Sequence, residues 1–165
     1  MELKKYLILI IIFSFTKFLY ADIIKPAENL SAYDVVKIQL TALKNNNKPN
    51  KNTGIEQTWF FAHPENKKFT GPYERFKKML LGNQYKFLLN HDSHRIKLIM
   101  KSKDTYIYNV ELISKDKKMY LYKWQLEKSS IDGCSNCWFT TIVSPPTDSG
   151  DIIWWKNPLT QQESS

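Results

Sequence analysis

Arginine, cysteine and histidine are scarce in this chain of 165 residues, which has two cysteines and three histidines. Its only arginines are Arg75 and Arg95, so lysine carries nearly all of the positive charge. The net charge is +8 at pH 7, in a chain that is also rich in asparagine and isoleucine. A positive charge of this kind is only weak evidence for a nucleic-acid partner.

The chain also lacks an excess of charged residues. They make up 24% of the sequence, close to the average of about 25% for globular proteins, so the composition gives no indication of wholesale disorder. A length of 165 residues is enough to bury one hydrophobic core but is short for two domains. We therefore expect a single domain.

The N-terminal apolar run is too short for a permanent membrane span. Residues 1–21 have a cationic start, an apolar stretch from Tyr6 to Phe15, and Ala21 at the end. Lys17 interrupts the stretch well before the roughly 20 apolar residues that a bilayer requires. This layout predicts a signal peptide cleaved after Ala21 and a periplasmic or secreted protein, with an uncleaved membrane anchor as the alternative. For an exported protein we expect anionic surfaces or envelope polymers as partners, and no intracellular nucleic acid. We expect contact with the membrane only through the signal segment.

Helical signals fill the first half of the remaining chain. Ser31 and Asp34 are spaced to cap a helix over Ala32 to Lys44, with an apolar stripe on one face. A second helix is predicted over "IEQTWFFAH", ended by Pro64, and a third over "GPYERFKKMLLG". The segment "ENKKFTG" between them reads as a connector.

From Arg95 onward the apolar residues alternate, which is typical of strands. Four runs are predicted to form an antiparallel sheet with one aromatic-rich face: "RIKLIMK", "TYIYNVELIS", "KMYLYKWQLEK" and "CWFTTIVSP". Helices followed by strands predict an α+β domain over residues 22–146, with the helices covering one sheet face. Residues 147–165 form a C-terminal extension, whose "IIWW" island at Ile152 to Trp155 we expect to pack on the domain or to form a contact surface.

The order of these segments resembles a known family. "SAYDVVKIQLTALKNN", "GIEQTWFFAHPENKKFTGPYERFKKML", "YKFLLNH" and "DGCSNCWFTTIVSPP" together resemble an uncharacterised family of the nuclear-transport-factor-2-like (cystatin-like) superfamily, found in bacteria and photosynthetic eukaryotes. The resemblance covers about residues 29–146, and its distinctive positions are Gly71, Pro72, Arg75, Phe76, Gly133, Cys137 and Trp138. It implies helices packed on a strongly curved antiparallel sheet of about four strands, the cystatin-like cone. It also allows a homodimer through the outer sheet face.

The resemblance leaves the function open, because the superfamily includes isomerases, hydratases, small-ligand binders and interaction modules. We favour a non-enzymatic module that binds a small apolar ligand or a protein, without a cofactor or an assigned catalytic residue. The candidate ligand-binding residues are Tyr108, Tyr122, Trp124 and Arg75. The alternative is a small isomerase or hydratase with a carboxylate or histidine inside the cone, for which the candidate groups are His63, Glu111 or a paired tyrosine. An open cavity of roughly 300 Å³ or more holding such a group favours the enzyme, and a filled cone excludes it.

Cys134 and Cys137 raise the question of redox or metal chemistry. A thioredoxin-like pair opens a helix whose dipole stabilises the thiolate, whereas this pair stands on a turn before a strand. A local disulfide is the favoured state in an exported protein, with two reduced, partly buried cysteines as the alternative and redox catalysis as the least favoured. Zinc held with His91 and His94 is also disfavoured, because His-x-x-His is shorter than the usual spacing. We predict no metal site.

Overall fold

The computed structural model describes residues 22–131 and 133–151, so the predicted signal peptide and the "IIWW" island lie outside it. Four α-helices are present in this part: α1 (Ala32–Lys44), α2 (Thr53–Phe60), α3 (Pro64–Thr70) and α4 (Tyr73–Leu81). A 3-10 turn at Lys86–Leu88 leads to five strands: β1 (Ser93–Lys101), β2 (Thr105–Ile113), β3 (Lys118–Ile131), β4 (Cys134–Val143) and β5 (Thr147–Asp151).

Helix α1 begins and ends where the sequence predicts. The Ser31 hydroxyl accepts a hydrogen bond from the Asp34 backbone N–H at 3.1 Å, and the Asp34 carboxylate accepts one from the Ser31 N–H at 3.0 Å. This reciprocal capping box satisfies two backbone donors that the helix itself leaves unpaired. The predicted stripe is confirmed, since Val36, Leu40 and Leu43 are fully buried.

Helix α3 occupies the segment predicted to be a connector, and that prediction is wrong. Pro64 stands in the first turn of α3, where the missing proline N–H costs nothing, and the His63 ring caps the helix by accepting the Glu65 backbone N–H at 3.2 Å. Proline therefore begins this helix, while α2 ends earlier, at Phe60. No residue of α3 is buried, so the segment has no apolar stripe from which a helix is predicted.

The sheet is antiparallel in the order β1-β2-β3-β4, and β5 also pairs with β3. Strand β3 is 14 residues long. Its second half, from Trp124, pairs with β4, and its first residues, Lys118 to Leu121, pair with β5. The fifth strand lies in residues that the sequence analysis treated as an extension. The α+β class is confirmed, because four helices precede an antiparallel sheet in the described part of the chain.

The N-terminal segment is fixed to α2 by one side chain. Gln57 accepts the Ile24 backbone N–H at 2.8 Å and donates to the Ile24 carbonyl at 2.7 Å. The carboxamide thus pairs with Ile24 as a neighbouring strand does, and Gln57 is itself buried. In the described ranges, 22–131 and 133–151, no helix is long and apolar enough to cross a membrane.

Candidate functional site

An open cavity of about 340 Å³ lies between the helices and the β4 side of the sheet. Its walls are mainly apolar and come from α1, α2, α4, the 3-10 turn and β4; they include Leu43, Ala62, Phe76, Met79, Leu80, Leu88, Ile142 and Val143. The Trp124 ring, from the middle of β3, also lines it. The cavity therefore occupies the part of the core where helices and sheet separate.

Three buried polar side chains form one hydrogen-bonded group at this cavity. The Gln39 side-chain oxygen accepts from the Trp124 indole N–H at 3.1 Å and from the Thr140 hydroxyl at 2.7 Å. The Gln39 amide nitrogen donates to the Thr58 carbonyl at 3.2 Å, and the indole N–H also lies 3.2 Å from the Thr140 oxygen. We call Gln39, Trp124 and Thr140 the polar triad.

The polar triad is held in place by its internal bonds. Gln39 lies on the same face of α1 as Val36 and Leu43, where a polar group is costly unless it is bonded. Its oxygen receives two donors, so the carboxamide cannot flip without losing both. The triad thereby fixes the Trp124 ring against the cavity.

The described residues that line the cavity include no aspartate, glutamate, histidine, lysine or arginine. Tyr85 is the one lining residue with an ordinarily titratable side chain, and burial raises the pKa of its hydroxyl above the usual value near 10. That hydroxyl donates to the Val143 carbonyl at 3.1 Å. At neutral pH these walls therefore offer hydrogen bonds and apolar contact, and the protonated Tyr85 hydroxyl is the one described lining group that could act as a general acid.

The mouth of the cavity is formed partly by α3. Asn66, Phe69 and Thr70 all line it, and Phe69 is 81% exposed. The Thr70 hydroxyl donates to the Asn66 backbone carbonyl at 2.9 Å. The cavity thus has an apolar interior and a polar group at its entrance.

A second depression, of about 480 Å³, lies between the N-terminal segment and α1. It is larger but more open, and charged residues line it, including Asp34 and Lys37. Ligand pockets are enclosed and largely apolar, with few polar groups. The cavity at the polar triad is the more enclosed of the two, and none of its described lining residues is charged, so it is the candidate site.

The predicted ligand-binding residues are separated by the fold. Trp124 lines the cavity, whereas Tyr108 and Tyr122 are buried in the core and are not among its lining residues. Burial raises the pKa of Tyr108 to about 12 and also raises the pKa of Tyr122. Arg75 is exposed on α4, and the stem of its side chain lies over Gly71.

The acid and base candidates also lie outside the cavity. His63 caps α3, and its other ring nitrogen is 3.3 Å from the Ser129 hydroxyl. Glu111 lies on β2, 3.8 Å from the Arg95 guanidinium. Neither residue is among those that line the cavity.

His91 and His94 form a hydrogen-bonded pair at the start of β1. The His91 Nδ1–H donates to the Leu88 carbonyl at 2.7 Å, and its Nε2 lies 2.7 Å from Nδ1 of His94. Burial lowers the pKa of His91 to about 4 and also lowers the pKa of His94. Across the described ranges no three histidine, cysteine or acidic residues are grouped to hold a metal ion.

Cys134 and Cys137 are joined in a disulfide, the state favoured from the sequence. The pair lies within β4, which begins at Cys134, three residues earlier than predicted. On β3 the partners of the two cysteines are Ile131 and Ser129, so two residues of β4 stand opposite one of β3. Asn136 accommodates this bulge with a φ of 55°. The disulfide clamps a bulge at the hairpin, with no helix behind it to stabilise a thiolate.

Gln39 and Thr140 are site residues that were not predicted from the sequence. Gln39 carries a signal, because it is polar within the buried stripe of α1, whereas Thr140 is an ordinary strand residue. Comparison of the chain with protein-family models, with curated proteins and with solved structures finds no match.

Proposed function

We propose that this protein is a non-enzymatic module that binds a small, uncharged and largely apolar molecule in the cavity at the polar triad. The observation that carries the proposal is an open apolar cavity of about 340 Å³ whose described walls hold no charged group. Such a volume lies within the usual range of roughly 300–1,000 Å³ for ligand pockets.

The chemistry of the walls selects against charged ligands. A charged group transferred from water into this cavity loses its hydration and meets no opposite charge, a large penalty. An apolar surface gains about 25 cal/mol for each Å² removed from water. At the rim, the Asn66 carboxamide donates one hydrogen bond to a polar end of the ligand and accepts another from it. The favoured ligand is therefore apolar with one neutral polar group.

The proposal includes the cystatin-like cone of the nuclear-transport-factor-2-like superfamily and an exported location. Helices on one sheet face, together with register shifts in the β1–β2 and β3–β4 pairs that bend strands, support the cone. A disulfide between the only two cysteines of the chain suits an oxidising compartment. A homodimer through the outer sheet face is part of the same proposal.

The enzymatic alternatives have less support. An isomerase or hydratase needs an acid or base at the substrate. The cavity meets the volume criterion, but His63 and Glu111 lie elsewhere, and the one lining tyrosine, Tyr85, is bonded to the Val143 carbonyl and is not paired with another tyrosine among the lining residues. A thiol oxidoreductase needs a helix after the first cysteine, and Cys134 instead begins a strand.

The test is a titration with N-phenyl-1-naphthylamine, an apolar and uncharged fluorescent probe. We expect saturable binding to the full chain, with enhanced and blue-shifted emission. Met79→Trp places an indole in the cavity and is expected to weaken binding at least about tenfold.

Met119→Trp is the matched control, since Met119 lies on β3 outside this cavity. We expect it to bind the probe as the parent does, and circular dichroism checks that both variants are folded. Equal binding by both variants, or tighter binding of an anionic analogue of the probe, contradicts the proposal.

A further inference from the structure

An apolar edge lies at the end of β1. Leu98, Ile99 and Met100 are consecutive, and each is 45% exposed. Leu98 pairs with Tyr108 and Met100 with Ile107, so Ile99 is the extra residue of a β-bulge. Strand β1 stands at the end of the sheet order, and in the described part of the chain no strand pairs with its other edge. We call this surface, formed by Leu98, Ile99 and Met100 at the unpaired side of β1, the β1 edge.

Two tyrosines extend this surface. Tyr33, on α1, is 46% exposed, and its ring centroid lies 6.4 Å from that of Tyr108, the register partner of Leu98. Tyr106 pairs with Lys101, whose ammonium group lies 5.4 Å from the Tyr106 ring centre. Tyrosine has an apolar ring and a polar tip, and is enriched where an apolar phase meets water.

Basic residues flank the β1 edge. Lys97, Lys101 and Lys103 are all exposed and lie within seven residues of chain. The carboxylates in this region include Asp104 in the following turn, Asp34, whose charge acts on Tyr108, and Glu127, opposite Thr105, whereas Lys97 and Lys101 stand on β1 itself, on either side of the trio. Positive charge therefore adjoins the apolar trio.

We propose that the β1 edge docks this protein on an anionic bilayer surface. The Leu98, Ile99 and Met100 side chains enter the interface, and the lysines lie at the anionic head groups. The docking is shallow, because the free backbone groups of β1 need water and cannot enter the hydrocarbon. It is also reversible and weakens as salt screens the lysines.

A second copy of the chain fits this edge poorly. Two β1 strands paired antiparallel about Ile99 place Lys97 of each copy opposite Lys101 of the other. Like charges directly opposite each other destabilise a strand pair. The bulge also breaks the regular ladder that edge pairing requires. Charge complementarity therefore favours the bilayer over a dimer.

The test uses an environment-sensitive fluorophore attached to a single new cysteine. Both natural cysteines are in the disulfide, so Ile99→Cys gives one labelled site in the full chain. With vesicles of 70% phosphatidylcholine and 30% phosphatidylglycerol we expect a blue shift at this site. Pure phosphatidylcholine vesicles are expected to give little change. Lys97→Gln with Lys101→Gln is expected to weaken the response about tenfold or more.

The matched control is Lys51→Cys, an exposed site in the loop between α1 and α2. Because the label reports its own surroundings, vesicle binding through residues 1–21 alone leaves the fluorophore at Ile99→Cys unshifted. No shift there, equal shifts at both sites, or an equal response to neutral vesicles overturns the proposal. A protein-concentration-dependent shift without vesicles, matched by a dimer in light scattering, assigns the edge to a second copy and also overturns it.

Discussion

The two halves of β3 differ in what they pair with and pack against. The first half pairs with β5, and Tyr120 is stacked on Phe87 with ring centroids 4.1 Å apart. Tyr122 is fully buried. The second half begins at Trp124, pairs with β4, borders the cavity and ends at the disulfide hairpin. We call the first half the filled half and the second, which borders the cavity at Trp124, the open half.

The polar atoms of the two halves differ in the same way. The Trp124 indole N–H has two acceptors, whereas the Tyr122 hydroxyl has no hydrogen-bond partner among the described residues. A ring surrounded by neighbours stays in place by packing alone. A ring beside a cavity lacks neighbours on one side, so hydrogen bonds must hold it. The open half is therefore the half in which buried polar groups stabilise the structure.

The largest effect is expected from acidification, which should lower the free energy of unfolding through a buried histidine in the filled half. The His91 and His94 pair lies at this end, since β1 begins there. Burial lowers the pKa of His91 to about 4, against about 6.5 in the unfolded chain. The unfolded state therefore binds more protons between these values, so stability is complete above about pH 6.5 and falls as the pH drops toward 4, by about 3 kcal/mol.

Urea unfolding at pH 7, 5.5 and 4 measures this effect, and His91→Gln is expected to flatten the dependence in that window. A parent protein equally stable at pH 7 and pH 4 shows that this buried histidine does not resist protonation.

Removal of the polar triad's acceptor should affect the open half next. Gln39→Leu removes the acceptor of the buried Thr140 hydroxyl and one of the two acceptors of the Trp124 indole N–H. We expect a loss of about 2 kcal/mol in the free energy of unfolding, because buried polar groups become unsatisfied. Chemical denaturation followed by tryptophan fluorescence measures it.

Gln125→Leu is the matched control, because its hydrogen bond to Glu127 is only partly buried. We expect a change below about 0.5 kcal/mol for this variant. Equal losses for the two variants contradict the special role of Gln39.

Opening the disulfide should have a somewhat smaller effect on the open half. Cys134→Ala with Cys137→Ala releases a four-residue loop, and chain entropy sets the loss at no more than about 2 kcal/mol. Denaturation of the parent with and without a reductant gives the same quantity. The double variant should not respond to the reductant, and a parent whose stability is unchanged by reduction disproves the clamp.

The smallest effect is expected for Tyr122→Phe, which removes the hydroxyl without a partner from the filled half. We expect a gain of up to about 1 kcal/mol, since the hydroxyl is desolvated without compensation. Tyr85→Phe is the contrast, because it deletes the bond to the Val143 carbonyl and should destabilise by about 1 kcal/mol. Thermal melts of both variants measure whether the two substitutions change the stability in opposite directions.

Local signals made part of the fold predictable. The start and the end of α1 could be predicted from the capping box at Ser31 and from the apolar stripe, because both signals come from residues close together in the sequence. Alternation predicted the first four strands for the same reason. Helix α3 was missed because it buries no residue, and its start is a proline that also reads as a stop.

The site was less predictable. Alternation places Tyr108, Tyr122 and Trp124 on one sheet face, but it does not tell which of them lies beneath a gap between helices. The position of that gap depends on how the helices pack over the sheet. The contacts of Gln39 depend on the same packing, because Trp124 and Thr140 are 85 and 101 residues away in the chain.

The pairing of Gln57 with Ile24 has a consequence for hydrogen exchange. Ile24 lies in no helix or strand, yet its backbone N–H is bonded to a buried side chain. Its amide proton can exchange with solvent only when that bond opens. In an otherwise irregular segment, Ile24 is therefore expected to exchange slowly, and its rate becomes a direct measure of how often α2 releases the N-terminal segment.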